Sequence, residues 1–245
     1  MIFWPCMFKK ILLNVCTSLL FAGMAFSQTT NTCEAVKDGA AAATFFTKTS
    51  VYNIALSGIK NAFIIDKYEH CISFGKDAAN NIIASPILNG AATSGKVPAI
   101  ANAFADLHNH PDNTPPDAGD FYGLININKN NPAYKTRFVV TLDGTLYALL
   151  VTDTAAINVF SVKYPRQPPA FAGGPPGFAV SITDEAREMK YKYHCTDEMV
   201  VAFILEKYNT GVSLLKQHSN GTFKKIITVV SKNRKGLVFS AGSCP

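Results

Sequence analysis

The segment with the clearest chemistry runs from Asp106 to Asp120 and reads DLHNHPDNTPPDAGD. His108 and His110 lie at the end of an apolar stretch that is typical of a β-strand. Because residues i and i+2 of a strand point to the same face, the two imidazoles are expected to converge. Asp120 follows a proline-containing loop and lies in the first turn of a predicted helix, from which it can reach both histidines. Two imidazoles and one carboxylate predict a three-ligand Zn²⁺ site with a fourth position open for water.

A zinc site of this kind would support hydrolysis. Zn²⁺ lowers the pKa of a coordinated water to about 7, so that a hydroxide nucleophile forms at neutral pH. Amide hydrolysis also needs a carboxylate that takes the proton of the water and passes it to the leaving nitrogen. Upstream of the histidines the chain has two glutamates, Glu34 and Glu69. Both are candidates for this role on residue type alone.

The His-x-His-Pro motif, the proline-containing loop and the Gly-Asp pair at a helix start resemble the JAMM (MPN/JAB-type) zinc metallopeptidase family. The resemblance covers about Ala62 to Val151, and it implies that the two histidines and Asp120 bind Zn²⁺. It also implies a general acid/base glutamate on an earlier strand. Glu69 lies in the strand-like segment YEHCISF, whereas Glu34 lies in a predicted helix, so we assign this role to Glu69.

The chain departs from the family pattern three residues before Asp120. The family has a serine there that helps to stabilise the tetrahedral intermediate, and this chain has Asp117 after a loop one residue shorter. A carboxylate beside a developing oxyanion opposes its stabilisation. Asp117 can instead act as a helix cap or as an alternative ligand. We therefore keep Asp117 as a candidate catalytic residue beside Glu69.

The resemblance implies an exported zinc metallopeptidase that cleaves a peptide or isopeptide bond. Its expected partners are a protein or peptide substrate and a cognate toxin, immunity or surface protein. The alternative is an interaction or toxin-associated module that kept the fold and the metal but lost catalysis through Asp117. Zinc-dependent deamination needs cysteine ligand spacing and nucleic-acid hydrolysis needs a basic surface, and the sequence has neither, so no nucleic-acid partner is expected.

The first 27 residues are predicted to be a signal peptide. Lys9 and Lys10 precede an apolar stretch that ends in Ala25-Phe26-Ser27, a small-x-small pattern typical of signal peptidase sites. This stretch is short for a membrane helix, and no later stretch is longer. The mature chain after Ser27 is therefore expected to be periplasmic or secreted, without a membrane partner. Loss of both lysines lowers the formal net charge from +6 to +4, too little to indicate polyanion binding.

Export also affects how the cysteines are interpreted. Cys33, Cys71, Cys195 and Cys244 follow the predicted cleavage site. In an oxidising compartment, four cysteines predict two disulfides in one of three pairings. The alternative is that one or more of them are buried thiols.

Composition and element order predict an α+β fold. A chain of 48% apolar and 16% charged residues is neither disordered nor a coiled coil. Turn and periodicity signals predict a mixed β-sheet flanked by helices, with a C-terminal helix and short-strand extension. The resemblance adds a JAMM/MPN-like, cytidine-deaminase-like architecture. The predicted organisation is a metal-binding domain over 28–160, a Pro/Gly-rich loop over 161–180 and a C-terminal part over 181–245, packed on the main domain or appended to it.

Individual elements are also predicted. The sequence indicates a helix over 34–46, strands over 62–74 and 82–88, and a helix over 117–128. Asp143-Gly144 between two apolar runs predicts a hairpin with a type I′ turn. A single helix is predicted over 183–208, followed by short strands to the C-terminus.

Overall fold

The structure is a computed structural model that describes residues 28–92, 95–169, 176–234 and 236–244. The described residues from Val36 onward form one compact unit, and those up to Ala35 belong to another. The predicted signal peptide lies outside the described residues. Within the described ranges, no helix has the length and apolar character needed to cross a membrane.

The described residues form a mixed sheet of nine strands. The strands are β1 (His70–Lys76), β2 (Ile82–Ala84), β3 (Leu88–Asn89), β4 (Ala105–Asn109), β5 (Thr136–Val140), β6 (Leu146–Val151), β7 (Val212–Gln217), β8 (Phe223–Asn233) and β9 (Gly236–Ser243). Their order is β2-β1-β4-β5-β6-β7-β8-β9, and β3 also pairs with β1. Only the β4–β5 pair is parallel among these pairings.

Helices cover both faces of the sheet. They are α1 (Gln28–Phe46), α2 (Ser50–Asp66), α3 (Ala118–Asn130), α4 (Thr154–Lys163), α5 (Val180–Tyr191) and α6 (Asp197–Lys207). The part of α1 from Val36 packs with α2 on one hydrophobic core, and α3 to α6 enclose a second core on the opposite face. The predicted α+β fold with a mixed sheet between helices is therefore confirmed.

Strand alternation in β4 places the candidate ligands. Ala105 and Leu107 belong to the core under α1 and α2. Asp106 and His108 alternate with them and therefore face α3, on the other side of the sheet. A single strand thus contributes apolar side chains to one core and polar side chains to the opposite face.

The strand predicted over 62–74 is wrong in its first part. The helix α2 continues to Asp66, and β1 begins at His70. The residues of α2 near its C-terminus are typical of strands, but Ile64 and Ile65 are exposed on the helix. The buried face of α2 lies earlier, at Ile59 among others. Packing of that face outweighs the local strand propensity.

The single helix predicted over 183–208 is two helices. α5 ends at Tyr191, and α6 begins at Asp197. The side chain of Thr196 accepts the N–H of Met199 at 3.3 Å and caps α6. His194 between the helices has a positive φ of 54°, which is incompatible with a continuous helix. The helix α4 follows its N-cap Asp153 in a segment for which the sequence signals predict no element.

The predicted hairpin is confirmed as β5 and β6, but its turn is not type I′. That turn needs a positive φ at both central residues. Here Gly144 has a φ of 86°, whereas Asp143 is not in the left-handed region. The N–H of Gly144 donates to Thr141 O, and the N–H of Thr141 donates to Thr145 O. The connection is a longer turn with glycine at its left-handed position.

The prediction of two disulfides is wrong. Cys33 and Cys244 are disulfide-bonded, but Cys71 and Cys195 are buried free thiols. Cys71 lies inside β1, and burial raises its pKa well above the usual value. The disulfide-bonded cysteines fit a location outside the reducing cytoplasm.

Candidate metal centre

Three buried side chains converge between β4 and α3. The Nε2 atoms of His108 and His110 are 3.3 Å apart. Asp120 Oδ1 lies 2.9 Å from His108 Nε2, and Asp120 Oδ2 lies 3.1 Å from His110 Nε2. Each of the three side chains offers one donor atom, and these atoms all lie within 4.8 Å of one another. Two imidazoles and a carboxylate are good ligands for divalent transition metals, so the cluster can hold a metal ion.

The N-terminus of α3 positions Asp120. Asp117 is the N-cap residue, and its side chain accepts the N–H of Asp120 at 3.0 Å. The Asp120 side chain in turn accepts the N–H of Asp117 at 3.0 Å. This reciprocal capping box orients both carboxylates, and the helix dipole favours their negative charge. Asp117 therefore acts as a cap, and its catalytic role stays a prediction.

Other contacts fix the two imidazoles. His110 Nδ1 lies 3.0 Å from the carbonyl oxygen of Thr114. A proton on Nδ1 can donate to this oxygen, which leaves Nε2 free as the ligand atom. His108 Nδ1 faces Asp106 Oδ1 at 3.9 Å, a distance at which the attraction is electrostatic. In both rings, Nε2 points to Asp120.

A buried ion pair lies beneath the three ligands. Arg137 Nη2 is 2.8 Å from Asp106 Oδ2, and the hydroxyl of Tyr134 donates to the same carboxylate. Arg137 Nη1 also donates to the main-chain oxygen of Asp120 at 2.9 Å. All three side chains of this network are buried. The network therefore connects the strand of His108 with the first turn of α3.

A glycine in α3 makes room for this arginine. A Cβ atom at Gly123 would lie 2.4 Å from Arg137 Nη1, which is too close for any side chain without displacement of the guanidinium. The helix can therefore pass directly over Arg137 only because residue 123 lacks a side chain. The sequence contains no signal for this role.

The charges of the cluster stabilise one another. Burial lowers the pKa of His108, but the charge and hydrogen bond of Asp120 and the nearby carboxylate of Asp106 outweigh burial and raise that pKa to about 10. The pKa of His110 is also raised, because the effect of Asp120 exceeds that of burial. Burial opposes ionisation of Asp120, yet both histidines hold its pKa well below the usual value.

These pKa shifts predict that metal binding displaces protons. A divalent ion binds neutral imidazole, whereas His108 is protonated at neutral pH in the metal-free protein. We expect the affinity for a divalent ion to rise by about tenfold or more per pH unit between roughly pH 6 and 8. Isothermal titration calorimetry in buffers of different ionisation enthalpy measures both the affinity and the released protons. Equal affinity across this range would contradict the expected proton release.

Glu69 lies beside the cluster. The prediction that it lies within a strand is wrong. It immediately precedes β1 and is half-buried. Cys71 is paired with His108, so continuing that register places Glu69 opposite His110 and on the same face. Burial raises the pKa of Glu69 to about 6, although His108 and His110 act to lower it. The other candidate, Glu34, is exposed on α1.

The raised pKa of Glu69 has a consequence for stability. The folded chain binds this proton more strongly than the unfolded chain, so ionised Glu69 destabilises the fold at high pH. In metal-free protein, we expect Glu69→Gln to raise the free energy of unfolding at pH 8 by about 1 kcal/mol, allowing for solvent screening. This gain should disappear below about pH 4, where the carboxyl is protonated in both states. Urea unfolding at the two pH values measures the difference, and an equal effect at both would contradict this origin.

Asp106, Arg137 and Asn109 also support the site, although the sequence motifs do not predict it. A detectable signal existed for the first two, because each is a charged residue within an otherwise apolar strand. The role of Asn109 depends on contacts with a distant segment and left no such signal. Comparisons with protein-family models, curated proteins and solved structures found no match for this chain.

Proposed function

We propose that this chain is a zinc metallopeptidase of the JAMM type that cleaves a peptide or isopeptide bond. The observation that supports the proposal is the convergence of His108, His110 and Asp120. Glu69 lies just before the neighbouring strand β1, on the same face of the sheet. The JAMM/MPN-like architecture is part of the proposal, and the mixed sheet between helices is compatible with it.

The donor set and its spacing fit zinc. Two ligand atoms bound at about 2.0–2.1 Å in a tetrahedral site lie roughly 3.3 Å apart. The two imidazole nitrogens are 3.3 Å apart, and the carboxylate oxygens lie 2.9 and 3.1 Å from them. Small displacements of these three side chains would therefore bring their donor atoms to bonding distance around an ion. Three protein ligands leave a fourth position, as in catalytic zinc sites.

The protein's own residues have separate roles in the proposed hydrolysis. When bound, Zn²⁺ supplies Lewis acidity and lowers the pKa of a coordinated water. Glu69, with a pKa near 6, is largely ionised at neutral pH and can accept a proton and return it to a leaving nitrogen. Thr114 and Arg137 hold the ligands His110 and Asp120 in place, so little reorganisation is needed.

The substrate is proposed to be a protein or peptide outside the cytoplasm. The disulfide-bonded Cys33 and Cys244 support an oxidising location. A cognate toxin, immunity or surface protein is the partner that this location favours.

The test combines metal content with peptide cleavage. Purified protein should bind Zn²⁺ in a one-to-one ratio, measured by inductively coupled plasma mass spectrometry. Removing one of the three protein ligands costs about 3 kcal/mol, so His110→Ala should weaken Zn²⁺ affinity by about a hundredfold. Incubation with a tryptic peptide mixture of known composition should generate new N-termini, and chelation should abolish them. His218→Ala, which changes an exposed-turn histidine outside the cluster, is the matched control. A wild-type protein without stoichiometric metal would refute the proposal.

The second candidate is the non-catalytic module. It is favoured by one observation: a second carboxylate, Asp117, occupies the N-cap beside Asp120, where the family has a serine. Serine is an equally good N-cap, so Asp117→Ser should change stability by less than about 0.5 kcal/mol. Peptide cleavage that appears only in Asp117→Ser would favour the module. Cleavage by the wild type, with little gain in the variant, would favour the peptidase.

A further inference from the structure

One side chain binds the backbone on both sides of Glu69. Asn109 Oδ1 accepts the N–H of His70 at 2.8 Å, and Asn109 Nδ2 donates to the main-chain oxygen of Tyr68 at 2.9 Å. One bond therefore involves the residue before Glu69 and the other the residue after it. Asn109 is 4% exposed, so water has little access to either bond.

These bonds form where the backbone pairing of β1 and β4 stops. The last paired residues in this direction are Cys71 and His108. The N–H of His110, the residue that follows β4, donates to Val140 O in β5. The side chain of Asn109 thus replaces the main-chain hydrogen bonds that would otherwise join the two strands at this position. Since its neighbours in β4 point to the opposite face, Asn109 does this without entering the metal centre.

The other backbone groups of this segment are bonded as well. The N–H of Glu69 donates to Ala91 O at 2.9 Å, and the N–H of Gly90 donates to Glu69 O at 2.8 Å. The N–H of Tyr68 donates to Asp66 Oδ1 at 2.9 Å. Glu69 therefore has a fixed backbone although it lies outside a strand. Within this set of bonds, Asn109 links Glu69 to the end of β4, where His108 and His110 lie on either side of Asn109.

We propose that Asn109 is a positioning residue that holds the Glu69 carboxylate at a set distance from the cluster of His108, His110 and Asp120. The inference rests on the proposed function, because this distance matters when Glu69 exchanges protons with a ligand at the metal. A misplacement of about 1 Å can cost a hundredfold in rate. The two bonds of Asn109 to Tyr68 and His70, here called the clamp, lie between His108 at the end of β4 and His110 just after it. Movements of this segment therefore displace the base and the two histidines together.

The test uses two substitutions that break the clamp in different ways. Asn109→Ala removes both bonds. Asn109→Asp keeps the acceptor for His70 but places an anionic oxygen against Tyr68 O. The matched control is Asn131→Ala, because Asn131 Nδ2 makes a similar bond to Ala103 O at 2.7 Å before the start of β4. The probe is Co²⁺, whose visible absorption spectrum reports ionisations next to the metal.

We expect both Asn109 variants to shift the pH midpoint of the Co²⁺ spectrum by about half a pH unit or more, in the same direction as Glu69→Gln. Their Co²⁺ affinity should change by less than about threefold, because the ligands lie on the other face. Asn131→Ala should keep the wild-type midpoint, although it loses a comparable hydrogen bond. Wild-type midpoints in the Asn109 variants would overturn the proposal.

A second readout separates this inference from the metal site itself. If the wild-type protein binds no Co²⁺, the proposed function fails, and amide hydrogen exchange of metal-free protein decides the role of Asn109. Exchange at Glu69 and His70 that is about tenfold faster in Asn109→Ala than in Asn131→Ala would support the clamp. Equal exchange rates in the two variants would overturn it.

Discussion

Glu69→Gln is expected to retain zinc and to lose peptide hydrolysis by about a hundredfold to ten-thousandfold. Glutamine has nearly the same shape as glutamate, but its amide cannot accept the proton that a carboxylate accepts. Glu69 is not a member of the three-residue cluster, so stoichiometric metal should remain. Initial cleavage rates of a defined peptide and the metal content of the same sample measure the two properties together.

A suitable control for this variant is Glu34→Gln. It makes the same chemical change at an exposed position in α1 and should leave both rate and metal content as in the wild type. Loss of zinc in Glu69→Gln would identify Glu69 as a ligand instead of a base. Full activity in that variant would contradict its assignment as the general acid/base.

Asp106→Asn is expected to destabilise the metal-free protein by about 3–5 kcal/mol. The substitution leaves the buried guanidinium of Arg137 without its main charge partner. Desolvation of an uncompensated charge is costly, whereas the intact pair offsets that cost through three contacts between the two side chains. Urea unfolding at pH 7 in the presence of a chelator measures the difference.

The control for this prediction is an exposed ion pair of similar length. Lys190 and Asp197 are 2.6 Å apart, but their side chains are 48% and 44% exposed. Asp197→Asn should therefore cost less than about 1 kcal/mol. The double variant Asp106→Leu with Arg137→Met should recover much of the loss, because it removes both charges. If Asp106→Asn and Asp197→Asn had equal effects, the buried pair would have no special contribution to stability.

The same ion pair also bears on the metal centre. Arg137 donates to Asp120 O and thereby connects the buried pair of Asp106 and Arg137 to a candidate ligand. Gly123 permits this contact by leaving the space that the guanidinium occupies. The ligand geometry thus depends on residues that bind no metal, as is common in catalytic metal sites.

Local sequence rules were sufficient for the ligand cluster. The extended backbone at the end of β4 placed His108 and His110 on one face, and the cap at Asp117 placed Asp120 in the first turn of α3. These are short-range properties of the chain, so they can be predicted without knowing the fold. The role of Glu69, the identity of the metal and the reaction stay predictions.

Local rules failed where distant packing decided the conformation. The residues at 62–66 have strand propensity, but α2 continues through them because its upstream face is buried against the sheet. Disulfide formation also depends on distant packing. Which of them pair depends on which are brought together in space, and Cys71 and Cys195 remain free thiols.

The sequence alone therefore determined the α+β class and the three residues that can hold a metal ion, since both follow from alternation, helix capping and residue type. The tertiary structure decided what supports them. Asp106 and Arg137 meet from different strands, and Asn109 reaches the segment around Glu69 across a strand boundary. Such contacts join residues far apart in the chain, and their geometry exists only once the sheet and its helices have assembled.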